Sequence, residues 1–141
     1  MKKNTRWIYA LVVVLLVLPV LAACGSGGGG QSINVSMTTF KFDLSKDSAS
    51  AGTVVFHIKN DATDVNHQFT IIKTDLDAAN LPTDSAGNVD TSQLDSVGAT
   101  QQVAPGDSVD LSVDLTAGHY VIFCDMAGHY QSGMYANFTV N

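Results

Sequence analysis

From Cys124 to Met134 the chain reads Cys-Asp-Met-Ala-Gly-His-Tyr-Gln-Ser-Gly-Met, which places a thiol, an imidazole and a thioether at intervals of five residues. Soft sulfur beside borderline imidazole nitrogen suits copper, and one Cys with two His in a trigonal set, plus a long axial thioether, is an electron-transfer geometry. The thiolate is the ligating form, and a metal lowers the pKa of the thiol that binds it. Cys124 and His129 supply two of these donors and Met134 a third. The second imidazole must come from upstream, where His67 is well placed. Such a site leaves no open coordination position, so it exchanges electrons and does not turn over a substrate. Met126 is a rival thioether, but it lies two residues from Cys124 and fits better in an apolar rim around His129. His57 shares a strand face with Val55 and Lys59, and His119 opens a strand after a turn; both read as surface residues.

These donors need elements to position them. Ile33, Val35 and Met37 alternate with polar residues, as do Phe40, Phe42 and Leu44, and then Val54, Phe56 and Ile58. Phe69 and Ile71 share a face with His67, and Val109, Leu111, Val113 and Leu115 alternate again. Period-two patterning marks half-buried strands. With Tyr120 to Cys124 and Tyr135 to Val140, the count is seven or eight short strands separated by turn signals. The expected fold is all-β, an antiparallel Greek-key sandwich. In such a fold remote strands end side by side at one pole, so His67 and Cys124 can meet there with the 124–134 loop folded over them. Gly128 and Gly133 each precede a candidate ligand, where a tight turn calls for positive φ. Residues 75–100 form the exception: a long acidic loop with five Asp and no Lys or Arg, and a short helix expected near Leu76 to Asn80. Loops of this length are uncommon without a role. Its 84–90 stretch lacks the spacing and terminal Glu of a calcium loop.

The first 23 residues read as a signal helix. Lys2, Lys3 and Arg6 precede an apolar run from Trp7 to Ala23, the layout of a secretory signal. The run ends in Leu-Ala-Ala-Cys, which resembles a bacterial lipobox and implies cleavage before Cys24 and lipidation of its thiol. Residues 24–32 are a Gly/Ser spacer, a flexible linker, leaving residues 33–141 as one domain. The expected product is a lipoprotein held at the membrane on its extracytoplasmic side, cell surface or periplasm. Beyond the signal, four lysines and no arginine stand against thirteen aspartates. Nucleic-acid binding through counterion release is excluded, and charged partners are expected to be basic. The complete absence of Glu and the abundance of Val, Thr and aromatics also favour strands over helices. With Cys24 lipidated, Cys124 is a single unpaired thiol outside the cytoplasm, and metal ligation gives it a reason.

The Cys-x4-His-x4-Met segment, with Gly-His-Tyr before Gly-Met-Tyr and a strand ending in Cys, resembles the C-terminal ligand loop of cupredoxins, the blue copper proteins. Its spacing is similar to rusticyanin and sulfocyanin and differs from plastocyanin, whose Cys–His gap is shorter. The resemblance covers residues 33–141. It implies one type 1 copper ion with His67, Cys124 and His129 as equatorial ligands, Met134 as the axial one, and reversible one-electron transfer. For a carrier of this kind the expectation is a monomer whose redox partners dock near His129, on an apolar patch of Met126, Ala127 and Tyr130. Two positions depart from the family: Ala127 stands where proline is frequent, and Gln68 follows the first His where asparagine is frequent. Either Gln68 or Asn66 is then the candidate clamp on the copper loop, and the Ala127 amide is a candidate hydrogen-bond donor to the Cys124 sulfur. A copper store or delivery protein of the same fold is the alternative function. Multicopper oxidase chemistry lacks the histidines it needs, since only His57 and His119 remain.

Overall fold

The computed structural model describes residues 30–141. The expected signal at 1–23 and the lipidation site at Cys24 lie outside the described residues. Nine strands form two sheets packed face to face: β1 (Gln31–Thr38), β2 (Lys41–Leu44), β3 (Ser48–Ala49), β4 (Gly52–Asn60), β5 (Thr70–Lys73), β6 (Asp95–Ala99), β7 (Ser108–Leu115), β8 (Gly118–Phe123) and β9 (Tyr135–Val140). The first sheet has the order β2-β1-β4-β7 and the second β3-β9-β8-β5-β6. The all-β sandwich is as expected, with two refinements. Among the described residues the strand count is nine, and two neighbouring pairs, β1 with β4 and β3 with β9, run parallel. Strand β1 begins at Gln31, so the ordered sheet takes in the last two residues of the expected linker, which pair with Val54 and Val55.

Alternation builds the interior. Ile33, Val35 and Met37 of β1 and Val54, Phe56 and Ile58 of β4 are all buried, while their polar neighbours face out. An aromatic chain ties the sheets together: Phe42 contacts Phe69, Phe69 contacts Phe56, and Phe56 contacts Phe138, with centroids 5.1–5.9 Å apart. Tilted and edge-on pairs at such distances add to the gain from burial.

The second sheet is different. Tyr120, Val121, Ile122 and Phe123 are buried without alternation, the pattern of a strand covered on both faces. Tyr120 and Ile122 face the main core. Val121 and Phe123, with Ile72 of β5, face a second cluster built from Ala78, Leu81, Val89 and Tyr130. The 75–100 segment therefore lies across the outer face of this sheet. It is not a plain loop: it contains 3-10 turns at Ala78–Asn80 and Thr91–Gln93 and the edge strand β6. Three of its aspartates organise it locally. Asp77 accepts from the Ala79 amide, Asp90 from the Ser92 amide, and Asp84 from the amides of Ala86 and Asn88. Asp side chains capping turns in this way account for three of the segment's five aspartates.

Candidate metal centre

The register of the second sheet brings the donors together. Strands β5 and β8 are antiparallel neighbours with Thr70 opposite Phe123. Continuing that register puts Cys124, just past β8, beside the residues just before β5. There the Gln68 amide donates to the Cys124 Sγ at 3.3 Å. His67 is held one step further on by a two-bond bridge with Val103. Strands β8 and β9 pair directly, so residues 124–134 form the connection at their shared end. The Cys124 amide donates to the Met134 carbonyl and the Met134 amide to the His129 carbonyl, both at 3.1 Å. This folds the connection back over Cys124. Gly128 and Gly133 adopt φ of 79° and 93°, the left-handed conformation expected of the residues before His129 and Met134.

The result is a buried trio. His67, Cys124 and His129 each offer a ligand atom, and these atoms lie within 4.8 Å of one another. His67 Nδ1 is 3.2 Å from His129 Nδ1, which is 3.3 Å from the Cys124 Sγ. Met134 is fully buried and packs in the same core cluster as Cys124. Burial holds both imidazoles below the ordinary histidine pKa, with His129 adding to the effect at His67. At neutral pH both rings are therefore neutral and carry a free lone pair. Burial pushes the Cys124 thiol up. The Gln68 and Met126 amides oppose this, and the Asp125 carboxylate reinforces it.

This donor set fits a soft metal ion. Two neutral imidazole nitrogens facing each other, His67 Nδ1 and His129 Nδ1, can share at most one hydrogen and so cannot both be fully paired by one another. Leaving buried polar atoms unpaired is unfavourable. An ion between the three donors would use both lone pairs and the thiolate at once. Of the first-row ions, copper matches two imidazoles, one thiolate and a nearby thioether best.

Several neighbours of the trio differ from the sequence reading. Neither Gln68 nor Asn66 clamps the loop through its side chain: Gln68 acts through its amide, and Asn66 donates to Gln102. The amide that donates to the Cys124 sulfur is that of Gln68, not that of Ala127. Tyr130 cannot line an exposed docking patch. It is 7 % exposed, and its hydroxyl donates to the Ala78 carbonyl and accepts from the Leu81 amide. Two further residues had no part at the site in the sequence reading, and one of them, Phe40, also lies outside the strand alternation expected of it, in the turn before β2. Asn60, fully buried, donates to the Val65 and Val103 carbonyls and accepts from the Ala62 amide, which fixes both strands of chain that hold His67. Its only sequence signal is an amide closing an apolar-patterned strand. Phe40, at the β1–β2 turn, lies edge-on to His129 with centroids 5.0 Å apart. It has φ of 58°, rare for a bulky side chain. His57 pairs with Asp110 at 2.7 Å and His119 meets the Thr74 carbonyl at 2.8 Å, both away from the trio.

Known proteins share this arrangement of strands. Auracyanin from Roseiflexus castenholzii, in its dithionite-reduced form, superposes with a TM-score of 0.61 at 22% identity, over 79% of this chain and 98% of its own. Auracyanin A from Chloroflexus aurantiacus, described as a "blue" copper protein, gives 0.59 at 22% identity over 80% and 100%. Rusticyanin from Thiobacillus ferrooxidans gives 0.59 at 19% identity over 79% of each chain. These likenesses establish a cupredoxin fold. No curated protein sequence matches the chain. The sulfocyanin (SoxE) domain family does match, over residues 48–141. That span holds the Cys124–Met134 connection, His67 and the strands that bring them to one pole, and by it the chain belongs to the sulfocyanin (SoxE) domain family.

Proposed function

We propose that the protein is a copper-dependent carrier of single electrons, in which His67, Cys124 and His129 would hold the ion strongly and the Met134 sulfur would hold it weakly. The reading rests above all on the convergence of three buried donors, two neutral imidazoles and one thiol, at a single point. Bound copper would supply a reversible one-electron couple between Cu(II) and Cu(I). The chain's residues do the rest. Cys124 follows β8 and Met134 adjoins β9, so the sulfur donors are seated on the sandwich itself. The Gln68 amide, aimed at the Cys124 sulfur, draws density from the thiolate and thereby favours the reduced state. His129 lies nearest the surface of the pole, under Phe40, and offers the route to a docked partner. The sequence expectation of a docking patch is kept without Tyr130: exposed Ala127 and Phe40, with half-buried Met126, surround His129.

A carrier is favoured over a copper store or delivery protein because Cys124 is 1 % exposed. A delivery site must present its sulfur to an incoming partner. The proposed setting is the extracytoplasmic face of a membrane, through a lipid on Cys24. Metabolic labelling with a fatty acid, lost in Cys24→Ala, tests that part separately.

The decisive experiment is optical. The protein loaded with Cu(II) should show an intense visible charge-transfer band that disappears on reduction and returns on oxidation. Cys124→Ser should lack the band while keeping the fold, because the thiolate is the source of the transition. A colourless wild-type protein, or a blue Cys124→Ser variant, would overturn the assignment.

A further inference from the structure

The 75–100 segment does more than cover the second sheet: it grips the ligand loop on both sides of His129. On one side, the Asn88 Oδ1 accepts from the Gly128 amide at 3.1 Å. On the other, Tyr130 sends its hydroxyl into the segment, bonding the Ala78 carbonyl at 2.8 Å and the Leu81 amide at 3.0 Å. One residue further, the Gln131 side-chain amide donates to the Ala86 carbonyl at 2.6 Å. Three of the four residues from 128 to 131 are thus tied to one segment, and the fourth is His129.

Among the four candidate ligands His129 most needs such support. Cys124 follows β8 directly, Met134 adjoins β9, and His67 is bridged to Val103. His129 sits mid-loop, with Gly128 before it in the left-handed conformation. The orientation of its ring follows from where its two chain neighbours are held.

The gripping element is built before it grips. Asp84 accepts from the Asn88 amide at 2.9 Å, donates its own amide to the Asn88 carbonyl at 2.8 Å, and accepts the Gly87 amide on its carbonyl at 2.9 Å. The turn therefore presents the Asn88 side chain with little ordering left to do. The fit is close. A Cβ placed on Gly87, itself at φ of 79°, would come within 1.4 Å of the Gln131 Nε2. Any side chain there would force Gln131 off the Ala86 carbonyl.

We propose that the 75–100 segment is an outer clamp on the ligand loop and that Asn88 is a positioning residue for His129. The clamp itself is a property of the metal-free fold; only its effect on copper rests on the function proposed above.

The test uses the full chain with Asn88→Ala and Asn88→Asp, the second keeping an acceptor oxygen while losing the 3.5 Å contact of the Asn88 Nδ2 with the Asp84 carboxylate, so that its rescue is expected to be partial. In the metal-free protein, Asn88→Ala should speed hydrogen exchange at the Gly128 amide about tenfold, the net worth of one hydrogen bond, and Asn88→Asp should restore part of the protection. Amides in β4 should be unaffected. In the copper-loaded protein, Asn88→Ala should shift the visible band and the copper hyperfine splitting, and Asn88→Asp should return both part of the way. Unchanged exchange at Gly128, or a uniform rise across all amides, would overturn the clamp. Faster exchange with an unaltered copper spectrum would overturn the positioning of His129. If the wild-type protein takes up no coloured copper, the proposed function fails, and the exchange measurements still decide whether the clamp exists.

Discussion

The ligand loop is anchored in two apolar clusters that differ in kind. Cys124 and Met134 belong to the main core between the sheets, with Phe56, Phe69 and Phe138. Tyr130 belongs to the smaller cluster outside the second sheet, under the 75–100 segment. The first is a sandwich interior supplied by strands of both sheets. The second is assembled by a surface segment rich in aspartate caps. The contrast separates two tasks: the main core makes the domain fold and seats the sulfur donors, while the outer cluster locates the loop that carries His129. A covering segment of this kind can change without rebuilding the sandwich.

Truncations in the two clusters should part company. Phe56→Ala should lower the unfolding free energy of the metal-free protein by about 3–5 kcal/mol, with a cavity left among close-packed aromatics. Leu81→Ala should cost about 2 kcal/mol, yet speed copper release to a chelator more than Phe56→Ala does. Denaturant titration and release kinetics on the same pair check this. Equal release rates would mean that both clusters act only through global stability.

A smaller effect is expected inside the main core. Met134→Leu conserves volume, so its stability cost should stay below about 1.5 kcal/mol. The reduction potential should rise, because a weak thioether donor favours Cu(II) and its loss favours Cu(I). Voltammetry decides, and an unchanged potential would point to Met126 or to no axial sulfur.

The metal-free protein should be most stable between two limits. Burial lowers the pKa of His67 and His129 from 6.5, so the unfolded chain takes up protons first and stability falls as pH drops below that value. Burial raises Cys124 from 9.0, so the unfolded chain loses its proton first and stability falls as pH climbs above that value. Melting curves across pH should show both slopes, and Cys124→Ser should weaken the alkaline one, leaving the part that burial of the Tyr130 hydroxyl contributes at higher pH. The smallest effect is reserved for His57→Ala and His119→Ala. Their rings engage Asp110 and the Thr74 carbonyl, so copper content should match wild type.

Legibility in the sequence followed the reach of each interaction. The strands β1, β4 and β7 were readable because alternation is local and their outer faces are wet. Strand β6, Asp-Ser-Val-Gly-Ala, was not: its residues have low strand propensity, and only pairing with β5 across an irregular register makes it a strand. The parallel pairings of β1 with β4 and β3 with β9 depend on partners remote in sequence. At the centre, the convergence of His67, Cys124 and His129 could be anticipated from donor type and spacing. The burial of Tyr130 could not, because its cover comes from residues 78–89. Which amide meets the Cys124 sulfur was not legible, and Ala127 was only a candidate, because side-chain chemistry says little about where a backbone N–H points.

Phe40 has a consequence for anyone engineering this domain. A left-handed backbone costs a phenylalanine roughly 1–2 kcal/mol that glycine does not bear, so the β1–β2 turn stores strain beside the metal centre. A selection scored on melting temperature would reward Phe40→Gly. It would also strip the aromatic cover from His129, the ring proposed above as the route to a partner. Thermal ranking and redox performance would then move in opposite directions at this position, and a library screened on heat alone would discard the better carriers.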